Sequence, residues 1–197
     1  MAMTATNSSM RVFQFRLPLD GSEPPIWRRI LVPADFTLAQ LHRVIQAVMD
    51  WKDDHLHEFN IADRLYGIPD CDGMRRSVDD RTIRLPDLNL SARSRIVYVS
   101  DFGDEWRHVL KLEEVSQGDA DDIRALCLGG ERNAPPEDVG GVFAYQEFLE
   151  VLSDPTHEQH SEIKEWIGDF DPEYFSVEEA NQRLRKRLRV RKAAKPA

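Results

Sequence analysis

The sequence predicts an α+β fold, with antiparallel strands in the N-terminal and central parts and helices toward the C-terminus. Alternation of apolar and polar residues, which is typical of half-buried strands, recurs over residues 10–19, 26–32, 55–61, 95–101 and 106–114. Apolar residues at helical spacing are found instead over residues 37–50 and after residue 142. Because strands precede helices, with one early helix inserted, the class is α+β, and the opening strand–strand–helix–strand order fits a β-grasp-like core.

The first elements follow from local signals. Residues 10–19 and 26–32 flank Asp20-Gly21 and predict a hairpin. The second strand directs alternate side chains to one face, namely Ile26, Arg28, Ile30 and Val32. Thr37 and Gln40 match a capping box, so a helix is predicted to begin at Thr37 and to run to about Asp50.

A central hairpin and three C-terminal helices complete the prediction. Residues 95–101 and 106–114 form the hairpin around residues 102–105, and residues 129–141 form a structured loop. Helices are predicted over residues 142–152, after Asp154-Pro155, and after Ser176, which forms a second capping box with Glu179.

Composition excludes several classes of protein. The 197 residues carry a formal net charge of −9 and are 41% hydrophobic, which suits a globular chain rather than a disordered one. No apolar run approaches the ~20 residues of a membrane span, and two cysteines are too few for a disulfide scaffold. We therefore expect a soluble cytoplasmic protein with no membrane partner. Residues 1–9 are predicted to be disordered, residues 10–175 to form one domain, and residues 176–197 to form a helix and basic tail.

The C-terminal tail is strongly basic, although the chain as a whole is acidic. Residues 183–197 contain eight basic residues and no acidic ones. One interpretation is a solvated helix end, where cations are favourable. The alternative is a nucleic-acid contact, because Lys and Arg neutralise phosphates. The candidates for that contact are Arg183, Arg185, Lys186, Arg187, Arg189, Arg191 and Lys192.

Histidines near carboxylates are the main candidates for chemistry. His55 and His57 lie two apart on a predicted strand and so share a face, while His108 lies on the central hairpin between Trp106 and Leu110. These three imidazoles are candidate ligands for a divalent metal such as zinc. Carboxylates for the site, or for catalysis, are available from Asp101, Asp104, Glu137 and Asp138. The alternatives are acid–base catalysis and a purely structural role for each histidine.

Several segments together resemble the plasmid pRiA4b ORF-3-like family. They are Pro25–Arg29, Thr37–His42, Trp51 with His55–Phe59, Tyr98 with Asp101–His108, Cys127–Arg132, Pro135–Gly141 and Phe170–Pro172. The resemblance implies a small α+β domain of bacteria and archaea, often encoded near plasmid or mobile-element genes, with no assigned activity. Many relatives have extra cysteines where this chain has Ala134 and Val139, so any cysteine-based metal site of the family is incomplete here.

Three functions remain open from the sequence, and it does not decide whether the chain is an enzyme. The favoured one is a binding or interaction domain of unidentified ligand, with a protein among the candidate partners and a link to mobile-element biology. A second is a metal-dependent hydrolase or nuclease in which His57 and His108 bind metal, Asp101 or Asp104 adds a carboxylate, and Glu137 activates water. The third is a nucleic-acid accessory protein acting through its tail. The site is expected in a cleft between the residue 55–59 strand, the residue 101–108 hairpin and the Glu137 loop.

Overall fold

The main element of the fold is one eight-stranded sheet. The computed structural model describes residues 9–69, 77–91, 94–119 and 124–188. The strands of this sheet are β1 (Ser9–Pro18), β2 (Trp27–Pro33), β3 (His57–Ile61), β4 (Arg64–Gly67), β5 (Val78–Asp79), β6 (Arg95–Ser100), β7 (Trp106–Asp119) and β8 (Leu126–Glu131). The helices are α1 (Leu38–Met49), α2 (Gly141–Ser153), α3 (His160–Ile167) and α4 (Val177–Arg187), with a 3-10 turn at Leu85–Leu88. The α+β class is confirmed.

The eight strands lie in the order β5-β4-β3-β6-β7-β1-β2-β8. The pairs are antiparallel except for β4 with β5, which is parallel. The predicted first hairpin is confirmed as β1 with β2, and the central hairpin as β6 with β7. Successive side chains of each strand point to opposite faces of the sheet. Phe15, Leu17 and Ile30 are therefore fully buried on the face that packs against α1.

Helix α1 begins as its sequence predicts. The Thr37 side chain accepts from the Gln40 N–H at 3.2 Å, and the Gln40 side chain accepts from the Thr37 N–H at 2.8 Å. Both halves of the capping box are therefore present, and two otherwise unpaired N–H groups are satisfied. The helix ends at Asp50, whose backbone is left-handed with φ 59°.

Three arginines converge on the C-terminal end of α1. Arg28 of β2 donates from Nε to the Val48 carbonyl at 3.0 Å, and Arg183 of α4 donates to the Ala47 carbonyl at 3.0 Å. The Arg187 guanidinium donates to a third carbonyl, that of Trp51. Cations are favourable at this end of a helix because its last carbonyls lack partners within the helix.

Three boundaries differ from the sequence-based predictions. The strand expected from residue 55 begins at His57, so His55 lies in the preceding loop and does not share a strand face with His57. The helix expected at Asp154 begins at His160, because the Asp154 carboxylate accepts from the Thr156 N–H at 2.9 Å and forms a turn instead. The predicted loop over residues 129–141 begins with the last three residues of β8.

Helix α4 packs on α1 and β8 through Ala180 and Leu184, which are both buried. Its Asn181 side chain also pairs with the edge of the sheet. The Cys127 N–H donates to Asn181 Oδ1 at 2.9 Å, and Asn181 Nδ2 donates to the Cys127 carbonyl at 2.9 Å. The predicted division between a domain ending at residue 175 and a separate helix remains a prediction.

Some predictions concern residues outside the described part of the chain. These include residues 1–8 of the N-terminal segment, Cys71, and the basic residues Arg189, Arg191 and Lys192. Within the described part, none of the helices is both long enough and apolar enough to cross a membrane.

Candidate metal centre

The three segments expected to form a cleft meet at one end of the sheet, where β3 begins and β6 ends. The Lys52 N–H in the loop before β3 donates to Glu137 Oε1 at 2.8 Å. The Gly140 N–H donates to Asp104 Oδ2 at 3.0 Å, which links the β6–β7 turn to the start of α2. Glu137 and Asp104 thus hold neighbouring loops together through backbone groups.

His55 lies between two carboxylates at this junction. Its Nδ1 is 3.3 Å from Asp101 Oδ2, and its Nε2 is 3.2 Å from Asp138 Oδ1. With one ligand atom taken from each residue, the three atoms lie within 4.8 Å of one another. The Asp101 side chain is mostly buried and the Asp138 side chain is mostly exposed, so the cluster is open to solvent on the Asp138 side.

Both aspartates of the cluster have an uncommon backbone conformation. Asp101 and Asp138 have left-handed backbones, with φ 58° and φ 63°. Aspartate tolerates this region better than most residues because its short side chain bonds to nearby backbone groups. Asp101 does so, since its Oδ1 accepts from the Gly103 N–H at 2.8 Å and leaves Oδ2 directed at His55.

Gly141 permits the close approach of the two loops. It has φ +82°, and a Cβ added there would overlap the Asp104 carbonyl. We expect Gly141→Ala to lower the free energy of unfolding by about 1–3 kcal/mol, measured by denaturant titration. Gly129→Ala is the matched control, because the nearest atom to its added Cβ is 3.9 Å away. Equal stability of the two variants would contradict this account of Gly141.

The other two candidate histidines are placed in the core rather than beside His55. His57 is buried, and its Nε2 pairs with the buried Asp80 carboxylate at 2.8 Å. His108 is fully buried, and its Nδ1 donates to the Pro18 carbonyl at 3.1 Å. Burial lowers the pKa of His108 to about 4, so the ring is neutral at pH 7.

A buried polar network lies behind the cluster, and the sequence analysis did not include it. The His42 ring of α1 stacks on His57, with ring centroids 3.4 Å apart and an interplanar angle of 7°. His42 Nε2 is 2.5 Å from Asp53 Oδ1, and its Nδ1 is 2.8 Å from the Tyr98 hydroxyl. A carboxylate can only accept, so His42 donates from Nε2 to Asp53, and Gln46 donates to the Tyr98 hydroxyl at 2.9 Å.

A sequence signal for this network exists. His42 and Gln46 are four residues apart within the apolar stripe of α1, where polar residues need buried partners. Burial lowers the pKa of His42. At the surface, Gln46 and Asp53 line a cavity of about 330 Å³ together with Arg43, Lys52 and Arg187.

The structure divides the basic tail candidates into two groups. Arg183 and Arg187 donate to backbone carbonyls at the end of α1 and therefore support packing. The remaining described candidates are exposed on α4, namely Arg185 and Lys186.

The chain is thus an α+β sheet domain with a histidine–carboxylate cluster where three loops meet. Residues 11–179 match the family model described as plasmid pRiA4b ORF-3-like protein, and the chain belongs to that family.

Two relatives extend this result. The chain is 39% identical over 162 residues to the "Uncharacterized protein y4hQ" of Sinorhizobium fredii, an alignment that covers 81% of this chain and 82% of the relative. It is also similar to a crystal structure from Methanosarcina mazei Go1, titled as the protein of unknown function MM3350. That similarity has a TM-score of 0.78 and 38% identity, and it covers 86% of this chain and 97% of the other.

Proposed function

We propose that this chain is a ligand-binding domain whose ligand is a divalent metal ion, held by His55, Asp101 and Asp138. The observation that carries the proposal is the convergence of one imidazole and two carboxylates from three separate loops within 4.8 Å. Nitrogen and carboxylate oxygen together suit zinc and manganese better than the all-oxygen set that calcium prefers.

The surrounding loops support the proposal because they hold the ligand residues before any ion binds. Bonds from Asp104 to Gly140 and from Glu137 to Lys52 restrain the loops that carry Asp101 and Asp138. Three protein ligands leave at least one coordination position for water or for a group on a partner molecule. His57 and His108 are buried and bonded elsewhere, so this proposal does not include them.

The test is titration of the metal-free full-length chain with Zn²⁺ and with Mn²⁺ by calorimetry. We expect binding of one ion, and Asp138→Asn and His55→Gln should each weaken it by at least about 100-fold, since each removes a ligand. His157→Gln is the control for loss of a histidine outside the cluster. Absence of binding by the wild type, or unchanged affinity in Asp138→Asn, would refute the proposal.

Two further aspects are also part of the proposal. The association with plasmids or transposable elements is supported by the family's name alone. A reducing cytoplasm is the proposed compartment, and it is compatible with Cys127, a buried free thiol.

A further inference from the structure

Four cations lie side by side on the face of the sheet opposite α1, which we call the open face. Arg16 of β1 is in register with Arg29 of β2 and with Lys111 of β7, and Lys111 is in register with Arg95 of β6. The neighbours of these residues along each strand are buried, so all four side chains are directed to the open face. Adjacent strands are about 4.8 Å apart, so this cation row extends about 14 Å across four strands.

The cation row is unfavourable for the isolated fold. Like charges directly opposite each other on neighbouring strands destabilise a sheet. Arg29 is neutralised by Glu113, with Nε to Oε2 at 2.6 Å. No described residue forms a salt bridge with Arg16, Lys111 or Arg95. The charge of Arg16 also acts on Glu113, so Lys111 and Arg95 are the two cations of the row for which the described residues supply no anionic partner, in a chain whose net charge is −9.

An apolar row runs beside the cation row. Two residues further along each of the same strands, the open face carries Trp27, Pro18, Val109 and Val97. These side chains are half-exposed, and two residues of strand separate the rows by about 7 Å. The Arg16 guanidinium lies over the Trp27 ring at 4.4 Å, so the two rows meet in a cation–aromatic stack.

We propose that the open face binds single-stranded nucleic acid, with phosphates along the cation row and bases against the apolar row. Phosphates supply the anionic partners that Lys111 and Arg95 lack. Unpaired bases stack on guanidinium planes as well as on aromatic rings, and the Arg16 guanidinium, which is itself held over the Trp27 ring, offers such a plane. An acidic peptide would use the cations and leave the apolar row without a partner. An anionic membrane is less well matched, because the apolar side chains are half-buried rather than projecting.

This surface is separate from the proposed metal centre and from helix α4, which packs on α1 and β8. The cation row lies on strands β2, β1, β7 and β6, whereas His55, Asp101 and Asp138 lie in loops. The inference therefore does not depend on metal binding.

The test is fluorescence anisotropy of the full-length chain with labelled oligothymidylate and oligouridylate of about 15 nucleotides, over a range of salt concentrations. Three or four phosphate contacts predict a slope of log affinity against log salt of about −2 to −3. The double variant Arg95→Gln/Lys111→Gln should bind at least about tenfold more weakly, with a slope shallower by about 1.4. Comparison of the affinities for oligothymidylate and oligouridylate shows whether the face prefers single-stranded DNA or RNA.

The matched control is Arg185→Gln/Lys186→Gln, which removes the same charge from α4. It should bind as the wild type does. The open-face variant should also be at least as stable as the wild type, because like-charge contacts are removed, and this excludes misfolding as the cause of weaker binding. The proposal is overturned if neither oligonucleotide binds at low salt, if duplex binds equally well, or if anionic vesicles bind and oligonucleotides do not. It is also overturned if the α4 variant loses as much affinity as the open-face variant.

Discussion

Replacement of Arg28 by methionine is expected to lower the free energy of unfolding by about 3–5 kcal/mol. Arg28 is 2% exposed, and it donates to the carbonyls of Val48, Trp27 and Glu131 at 2.9–3.0 Å. Its guanidinium also lies 4.0 Å from the centre of the Phe175 ring. Burial lowers the Arg28 pKa to about 10, so the side chain stays charged at pH 7. Methionine fills much of the volume but removes the guanidinium donor from all three carbonyls.

Arg29→Met is the matched control, because Arg29 follows Arg28 in β2 and its side chain lies on the opposite face of the sheet. Its ion pair with Glu113 is partly solvated, so its loss should lower the free energy of unfolding much less than the loss of Arg28 does. Both variants are measured by denaturant unfolding at pH 7. If the two changes prove equal within about 1 kcal/mol, Arg28 does not link β2 to α1 as its hydrogen bonds indicate.

Acid is expected to destabilise the protein through His108. The folded-state pKa is about 4, below the ordinary value of 6.5, because burial disfavours the charged ring. Below pH 6.5 the unfolded chain binds a proton that the folded chain does not, so the free energy of unfolding falls as the pH falls. This loss develops between pH 6.5 and pH 4 and amounts to about 3 kcal/mol from His108 alone.

His108→Gln separates this contribution from those of other groups. Glutamine retains a donor for the Pro18 carbonyl but does not titrate, so the variant should show a smaller loss of stability between pH 7 and pH 4 than the wild type. His157→Gln, which replaces an exposed histidine, is the matched control. The measurement is chemical denaturation at several pH values. Identical pH dependence in His108→Gln and the wild type would show that His108 is not buried in its neutral form.

Elements specified by neighbouring residues were predictable from the sequence. The Thr37–Gln40 capping box and the alternation in β1 and β2 involve residues close in sequence or a simple period, and both are present in the structure. The α3 start was misplaced because two local signals compete at Asp154. A side-chain bond to Thr156 forms a turn there, and the helix begins only at His160.

The site was less predictable because its contacts are long-range. His55, Asp101 and Asp138 were each identifiable as candidates, but nothing local indicates that His55 lies before β3 and faces two other loops. Sequence spacing suggested His57 as its partner, although His57 pairs with Asp80, 23 residues away. The open face was missed for a related reason. Its cations align only through strand register, which residue spacing along one strand does not reveal.

The amide of Asn181 has a consequence for how the molecule behaves among copies of itself. Strand β8 ends the sheet, and an uncovered edge strand is a template for pairing with another chain. The Asn181 side chain accepts from the Cys127 N–H and donates to the Cys127 carbonyl, as one residue of a ninth strand would. A single side chain thus covers the edge at that point, and another chain could pair with Cys127 only after displacing Asn181.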